Sequence, residues 1–299
     1  LFLEWTLLMF LNFWGGKFLK NIIGTIFIIY FLTSSSMFLR NFCEYLRIIY
    51  YPSTNVIFLI SIFIIAICIV DNNASFKANL IITPFALISI ILLFFANIKY
   101  FSGQRMFPIL GNGFFDTFLL GIGNIYAFSG IVFIYFLPPL LKQPEKLKKI
   151  AITSVCISGA YIILAISIIL FMFPFFTKVD EIIPLYSAAT YVEFGSFFQR
   201  LEAIFLLIWI IAFACYLSML TMFSIHSFRK MAKIKYIKPI VIPFTLVILG
   251  ISLIPTNFAV AKFFETVIYR FAMIGVTFVV GFFILIFANY KKKKQVINK

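Results

Sequence analysis

Eight apolar stretches, each long enough to cross or nearly cross a lipid bilayer, limit what this chain can fold into. They are residues 21–39, 55–70, 78–96, 113–140, 150–175, 200–225, 239–254 and 266–290. A helix rises about 1.5 Å per residue, so roughly 20 residues cross a hydrocarbon core about 30 Å thick. Backbone polar groups must pair internally within lipid, which favours helices for stretches of this kind. The sequence therefore predicts an all-α integral membrane protein that forms a single transmembrane bundle over residues 1–299.

Composition and charge support this interpretation. The 299 residues are 63% hydrophobic and 12% charged, against about 45–50% and about 25% in soluble proteins. The net charge of +15 comes from Lys and Arg that lie mostly between the apolar stretches. We therefore expect the partner of this chain to be the lipid bilayer and not a nucleic acid.

The distribution of basic residues also predicts an orientation. If the loop at Lys17 is cytoplasmic and the spans alternate, 17 of the 25 Lys and Arg residues fall on the cytoplasmic side and 8 on the other. Cytoplasmic loops of membrane proteins carry the excess of positive charge. This predicts a cytoplasmic C-terminus with a basic tail at residues 291–299.

Several segments between the spans have predicted roles of their own. Gly15 to Lys20 is expected to be a turn, 40–53 an amphipathic connection, 178–199 an interfacial helix, and 226–238 a basic loop containing the single His226. The apolar start of the chain, 1–14, is expected to be the end of an incomplete span.

Catalytic and metal-binding constellations are not recognisable in the sequence. There is one histidine, the ten carboxylates are scattered, and the four cysteines are Cys43, Cys68, Cys156 and Cys215, which form no Cys-x-x-Cys pair. A zinc site needs three or four clustered ligands, and nucleophilic catalysis needs a paired base. We expect no enzyme, no metal and no cofactor.

One span differs from the others because small and polar residues interrupt its centre. The stretch 113–141 contains Gly121, Gly123, Asn124, Ser129 and Gly130. Glycine costs about 1 kcal/mol relative to alanine inside a helix. Two interpretations follow from this spacing alone: a broken helix whose free backbone groups hold a ligand, or close packing of neighbouring helices on small residues.

The centre of this span resembles a segment of known transporters. Tyr126-Ala127-Phe128-Ser129-Gly130 is similar to the Phe-Ala-Phe-x-Gly stretch of the sixth helix of amino acid–polyamine–organocation transporters. In that superfamily the helix is unwound there, and the resemblance implies that these five residues bind ligand. Many of those transporters carry an acid where this chain has Val132, so we expect no proton coupling through this helix.

Hydroxyl side chains in two other spans are further candidates for ligand binding. Ser35 lies in a run of hydroxyl residues, 33–36, and Tyr216 lies in the stretch 200–225. Such hydroxyls either bond back to the carbonyls of the preceding helical turn or face a site.

A second resemblance covers nearly the whole chain. The segment from Tyr191 resembles the signature of spore germination permeases, which are the B subunits of germinant receptors. The residues that carry it are Phe197, Phe198, Arg200, Glu202, Ile208 and Trp209. The stretch FPILGNGFFDTFLLG at 107–121 is similar to the same family. Arg200, Glu202 and Trp209 are expected to be structural residues and not ligand contacts.

The resemblance implies a fold and a function. The fold is the ten-helix inverted-repeat bundle of the transporter superfamily, here without helix one and part of helix two. The function is a receptor that binds a small, amino acid-like germinant in the inner membrane of the spore and acts with A-type and C-type subunits. The alternative is an autonomous amino acid transporter of the same fold.

Overall fold

The computed structural model describes residues 7–69, 72–110, 113–174, 183–192, 201–234 and 236–286, and within these ranges the regular elements are all helices. The α-helices are α1 (Leu7–Ile49), α2 (Val56–Ile69), α3 (Asn72–Asn97), α4 (Phe114–Ile122), α5 (Leu147–Met172), α6 (Pro184–Thr190), α7 (Leu201–Ala232), α8 (Lys238–Ser252), α9 (Phe258–Phe263) and α10 (Arg270–Ile274). 3₁₀-helices cover Ile98–Tyr100, Gly103–Met106, Gly123–Tyr135, Pro138–Leu140 and Pro144–Lys146, and π-helices cover Phe264–Tyr269 and Gly275–Val280.

The predicted spans have counterparts in the structure. Among the described residues, six helical stretches are long and apolar enough to cross a membrane: Gly16–Ile49, Lys77–Tyr100, Phe114–Tyr135, Pro144–Met172, Glu202–Ala232 and Phe258–Ile286. The shorter apolar helices Val56–Ile69 and Lys238–Ser252 match the two remaining predictions. An all-helical chain suited to the membrane is thereby confirmed, and the ten-helix inverted repeat stays a prediction.

The first helix corrects two sequence predictions. The turn expected at Gly15 to Lys20 is reduced to one non-helical residue, Gly16, with φ 74° and ψ −179° inside α1. The amphipathic connection expected at 40–53 is wrong over its first ten residues, because α1 continues to Ile49. Charged residues do not end the helix here because Arg40 and Glu44, one turn apart, pair with each other: Nη2 and Oε1 lie 2.7 Å apart.

Helix α7 corrects a third prediction. The basic loop expected from His226 begins only after Ala232, and His226 is a half-buried helical residue. Lys233 has φ 57°, and the amide of Ile234 donates to the carbonyl of Arg229 at 3.1 Å. This is the left-handed ending that closes many helices. Arg229 and Lys230 therefore lie in the last helical turn, where cations interact favourably with the helix dipole.

The last span begins earlier than the predicted Thr266. Asn257 precedes α9, and its side chain accepts a hydrogen bond from the amide of Val260 at 2.9 Å. An asparagine that caps the first turn satisfies a helix amide that would otherwise lack a partner. The cap moves Lys262 and Glu265 from a loop into the helical span.

The described residues divide into two compact units. The first comprises Leu1–Ile69, Gly123–Thr153 and Leu220–Lys299, and the second comprises Val70–Ile122 and Ser154–Met219. The chain passes from the second unit to the first at Gly123, the middle of the span that carries the interrupting glycines.

Aromatic packing forms the core of the first unit. Phe31 of α1 lies 5.4 Å from Phe136 and 6.0 Å from Phe223 of α7, measured between ring centroids. Phe133 lies 5.1 Å from Phe223. These separations are those of favourable aromatic pairs, each worth about 0.5–1.5 kcal/mol beyond burial. They fix the end of the 3₁₀-helix Gly123–Tyr135 between α1 and α7.

A charged cluster lies in the same unit, at the C-terminal end of α1; we define it as Arg40, Asn41, Glu44, Lys262 and Glu265. Glu44 accepts from Arg40, and its second oxygen lies 3.0 Å from Nη2 of Arg47. The amide nitrogen of Asn41 donates to Glu265, which also pairs with Lys262 at 2.7 Å. These bonds connect α1 to the start of the last span.

The second unit has an aliphatic core with contributions from three helices. Ile90 and Leu93 of α3, Ile168 of α5 and the two alanines Ala188 and Ala189 of α6 are buried together. Helix α6 is the described part of the predicted interfacial helix at 178–199. Its packing into this core shows that its buried face contacts protein.

Candidate functional site

The helix type changes at the centre of the span that was predicted to be broken. Helix α4 ends at Ile122, and a 3₁₀-helix of 13 residues follows from Gly123 to Tyr135. 3₁₀ runs longer than three or four residues are uncommon, and inside a helical span they often mark a hinge or a strained sequence. The discontinuity falls within the predicted stretch, but the backbone stays helical and is not unwound.

The 3₁₀ geometry aligns every third side chain on one face. A 3₁₀-helix has three residues per turn, so Gly123, Tyr126, Ser129, Val132 and Tyr135 share a face. Ser129 and Val132 are buried, at 8% and 1% exposure, and the other three are half-buried. We call these five residues the 3₁₀ face.

The 3₁₀ face packs against the last span. The hydroxyl of Tyr135 donates to the carbonyl of Thr277 at 2.9 Å. At the other end, Nη1 of Arg270 lies 3.8 Å from the place where a Cβ of Gly123 would be. Thr277 lies about two helical turns after Arg270, so both ends of the 3₁₀ face contact the same span.

Hydroxyl groups meet at the middle of this contact. The Tyr30 hydroxyl lies 3.5 Å from Oγ1 of Thr277, and the Ser34 hydroxyl donates to the carbonyl of Tyr30 at 2.6 Å. Ser34 and Thr277 are fully buried and Tyr30 is 5% exposed. A buried polar group needs hydrogen-bonding partners, and these residues, the hydroxyl cluster, supply them to one another within an apolar bundle.

Arg270 adds a positive charge beside this cluster. Its Nη2 donates to Oδ1 of Asn124 at 3.2 Å, and its guanidinium carbon lies 4.9 Å from the ring centroid of Tyr126. Arg270 stands 12 residues after Phe258 and 16 before Ile286, near the middle of its span. A charge at the bilayer centre costs about 2.5–3.5 kcal/mol on insertion scales, so such residues are usually functional.

The Arg270 contact was missed in the sequence. A signal was present, since a lone arginine in an apolar span is by itself a candidate functional residue. Two π-helical segments, Phe264–Tyr269 and Gly275–Val280, flank Arg270–Ile274. π-helical turns occur frequently at functional sites. The apolar runs and the positions of small residues in the sequence do not predict them.

The five residues predicted to bind ligand separate onto two sides of the 3₁₀-helix. Tyr126 and Ser129 lie on the 3₁₀ face, where Tyr126 contacts Arg270 and Ser129 is buried. Ala127 and Gly130 are exposed, and Phe128 is half-buried. The structure therefore brings one of the five side chains, Tyr126, into contact with Arg270, while an added Cβ at Gly130 would meet nothing within 4 Å.

The other two candidate ligand residues lie in different surroundings. Ser35 is buried and donates to the carbonyl of Phe31 at 2.7 Å, which is the local bond to the preceding turn. Tyr216 is half-buried in α7 and belongs to the second unit. Their part in ligand binding stays a prediction.

The residues that carry the family resemblance begin α7. Glu202 is 8% exposed in the first turn, where an acid interacts favourably with the helix dipole. The Trp209 ring lies 6.2 Å from that of Phe205, one turn earlier. Arg200 lies outside the described residues. The structural role expected for Arg200, Glu202 and Trp209 stays a prediction.

Comparison with known proteins identifies the family to which the chain belongs. A family model described as spore germination protein matches residues 2–259. A search of curated proteins and a search of solved structures found no match. Because the match covers most of the chain and includes the 3₁₀ face and the start of α7, this protein belongs to the spore germination permease family.

Proposed function

We propose that this chain is the B subunit of a nutrient germinant receptor. It binds a small, amino acid-like nutrient within the membrane and triggers germination together with A-type and C-type subunits in the inner membrane of the spore. The observation that carries the proposal is the family match over residues 2–259. The polar contacts between the 3₁₀ face and the last span give the proposal a physical site.

The 3₁₀ face suits a receptor because the same backbone has a closely related alternative conformation, the α-helix. A 3₁₀-helix and an α-helix differ in their residues per turn, so conversion would rotate Tyr126 and Ser129 relative to the last span. A ligand shifts such an equilibrium only by the difference in its affinity for the two states. In the described state Tyr126 contacts Arg270, and Tyr135 donates to the carbonyl of Thr277, which provides a set of contacts that a bound nutrient would change.

The test of this proposal separates a receptor from an autonomous transporter. The full-length protein is expressed with A-type and C-type subunits in spores that lack their own receptors, and germination is followed as loss of optical density after addition of each of the twenty amino acids. The purified protein is also reconstituted alone in liposomes with the radiolabelled amino acids. We expect germination only when all three subunits are present, and no net flux in liposomes. Flux by the protein alone would contradict the receptor proposal and favour the transporter.

Gly130 tests whether the ligand also approaches the exposed side of the 3₁₀-helix, opposite the 3₁₀ face. We expect Gly130→Leu to raise the nutrient concentration for half-maximal germination at least about tenfold, equivalent to 1.4 kcal/mol. The leucine side chain would occupy the exposed space beside the backbone that the resemblance assigns to the ligand. Folding is expected to be unaffected because an added Cβ meets no atom within 4 Å.

Gly121→Leu is the matched control for Gly130→Leu. Gly121 is also exposed with open space around an added Cβ, but it lies in α4 before the 3₁₀-helix begins. We expect this variant to germinate normally. If Gly130→Leu responds as Gly121→Leu does, the ligand does not approach the 3₁₀-helix at Gly130.

Labelling of introduced cysteines tests the predicted orientation. Single cysteines at Glu193 and Lys299 are placed in a background without Cys43, Cys68, Cys156 and Cys215 and are treated with a membrane-impermeant maleimide. We expect the cysteine at 193 to react in intact cells and the one at 299 only after permeabilisation, because cytoplasmic segments carry the excess of positive charge. Equal reaction of both cysteines in intact cells would contradict the prediction that residues 193 and 299 lie on opposite sides of the membrane.

A further inference from the structure

Two membrane spans meet at their centres through a charged side chain. Asn124 lies 10 residues after Phe114 and 11 before Tyr135, and Arg270 lies near the middle of Phe258–Ile286. The 3.2 Å hydrogen bond from Arg270 to Asn124 therefore joins the midpoints of both spans. This is the depth at which bundles of this kind hold small ligands.

The contacts of Arg270 leave its charge without a counter-ion among the described residues. Its partners in the described ranges are the neutral amide of Asn124 and the ring of Tyr126. By contrast, Arg40, Arg47 and Lys262 in the same unit each have a carboxylate within 3.0 Å. The Nε of Arg270 is buried and has no hydrogen-bond partner within the part of the chain that the structure describes.

A guanidinium of this kind is suited to a carboxylate. It has five donors in a planar fork that matches the two oxygens of a carboxylate, and one of these donors is used by Asn124. Gly123 keeps the adjoining backbone free of a side chain. The neighbouring hydroxyl cluster is uncharged. None of these contacts therefore supplies an anion to pair with the guanidinium.

We infer that Arg270 binds the carboxylate of the nutrient, and that the ligands of this receptor are therefore free carboxylic acids such as amino acids. This inference rests on the proposed function and names the chemical class of ligand for the same site. The carboxylate would take the Nε edge of the guanidinium, beside Asn124 and Tyr126. Sugars and nucleosides, which carry no anion, would lack this contact.

The test is a thermodynamic cycle between protein and ligand. The twenty L-amino acids, glucose and adenosine are first screened for binding to the purified full-length protein by isothermal titration calorimetry in detergent. The amino acid that binds most tightly is then compared with its own carboxamide on the native protein, Arg270→Gln and Arg270→Lys. Because both ligands share the side chain and the ammonium group, their affinity ratio reports the carboxylate contact alone.

We expect the native protein to bind the acid roughly 10- to 100-fold more tightly than the amide, as for hydrogen bonds to charged groups. In Arg270→Gln this ratio should fall close to one, and Arg270→Lys should keep part of it because lysine retains the charge without the fork. Arg229→Gln, an arginine at the end of its helix in the same unit, should leave the ratio unchanged.

Three outcomes distinguish this inference from the proposed function. An unchanged acid-to-amide ratio in both Arg270 variants that still bind overturns the role of Arg270 but leaves the receptor proposal intact. Tight binding of glucose or adenosine with no amino acid also overturns the inference and leaves a nutrient receptor. If none of the probes binds the native protein, the proposed amino acid receptor and the inference both fail.

Discussion

Glu44→Leu should lower the free energy of unfolding by about 3–5 kcal/mol, the usual result of removing one partner from a buried ion pair. The Glu44 side chain is 1% exposed and that of Arg40 is 6% exposed. Without Glu44, Arg40 keeps only the carbonyl of Ser252, at 3.4 Å, as a hydrogen-bond acceptor among the described residues. The measurement is unfolding by sodium dodecyl sulfate titration in mixed micelles, followed by tryptophan fluorescence.

Two further variants separate the buried charge from general damage to the helix. Arg40→Met combined with Glu44→Leu should recover most of the loss, because an apolar pair of similar volume can replace a buried ion pair at little cost. Arg47→Met should cost at most about 1 kcal/mol, since the Arg47 side chain is 37% exposed and its pairing with Glu44 is screened by solvent. A double variant no more stable than Glu44→Leu would show that Arg40 is not the source of the cost.

Gly281→Ala should destabilise the protein by about 1–3 kcal/mol, as expected when a methyl group is forced into a packed site. An alanine Cβ at this position would overlap the hydroxyl of Tyr135 and lie 2.8 Å from its Cζ. Tyr135 would have to move, with loss of its 2.9 Å hydrogen bond to the carbonyl of Thr277. The same detergent titration measures the change.

Gly275→Ala is the matched control for Gly281→Ala, because it lies in the same span with nothing within 4 Å of an added Cβ. Alanine has the higher helix propensity by up to about 1 kcal/mol, so this variant should be neutral or more stable. Combining Gly281→Ala with Tyr135→Leu should remove the overlap and cost less than the two single changes added together. Strict additivity would mean that Tyr135 and Gly281 are not in contact.

The sequence predicted the elements whose cause is local. Apolar runs of sufficient length are obliged to pair their own backbone groups in lipid, so the six long apolar helices, the two shorter ones and their approximate positions followed from the order of apolar residues alone. The glycines at 121 and 123 also marked where α4 ends, because glycine weakens a helix wherever the tertiary fold places it. The family followed from short motifs that need no structural context.

The helix ends were predicted less well than the spans, because charged residues were assigned to solvent-exposed segments. Arg40 and Glu44 were placed in a connection, and His226 in a loop, although all three lie within helices. A charged side chain can continue a buried helix when a partner one turn away neutralises it. Whether the two side chains meet depends on the backbone being helical there, which the sequence pattern did not indicate.

Only the tertiary structure decided which faces of the helices contact one another. The sequence by itself placed Tyr126 to Gly130 in one ligand-binding stretch, but the change to three residues per turn moved Tyr126 and Ser129 to one side and left Ala127 and Gly130 exposed. Arg270 was visible in the sequence, yet its contact with Asn124 joins residues 146 positions apart. Apolar patterning sets that a helix crosses the membrane, whereas its rotation and its neighbours are set by packing between helices, which a single sequence does not record.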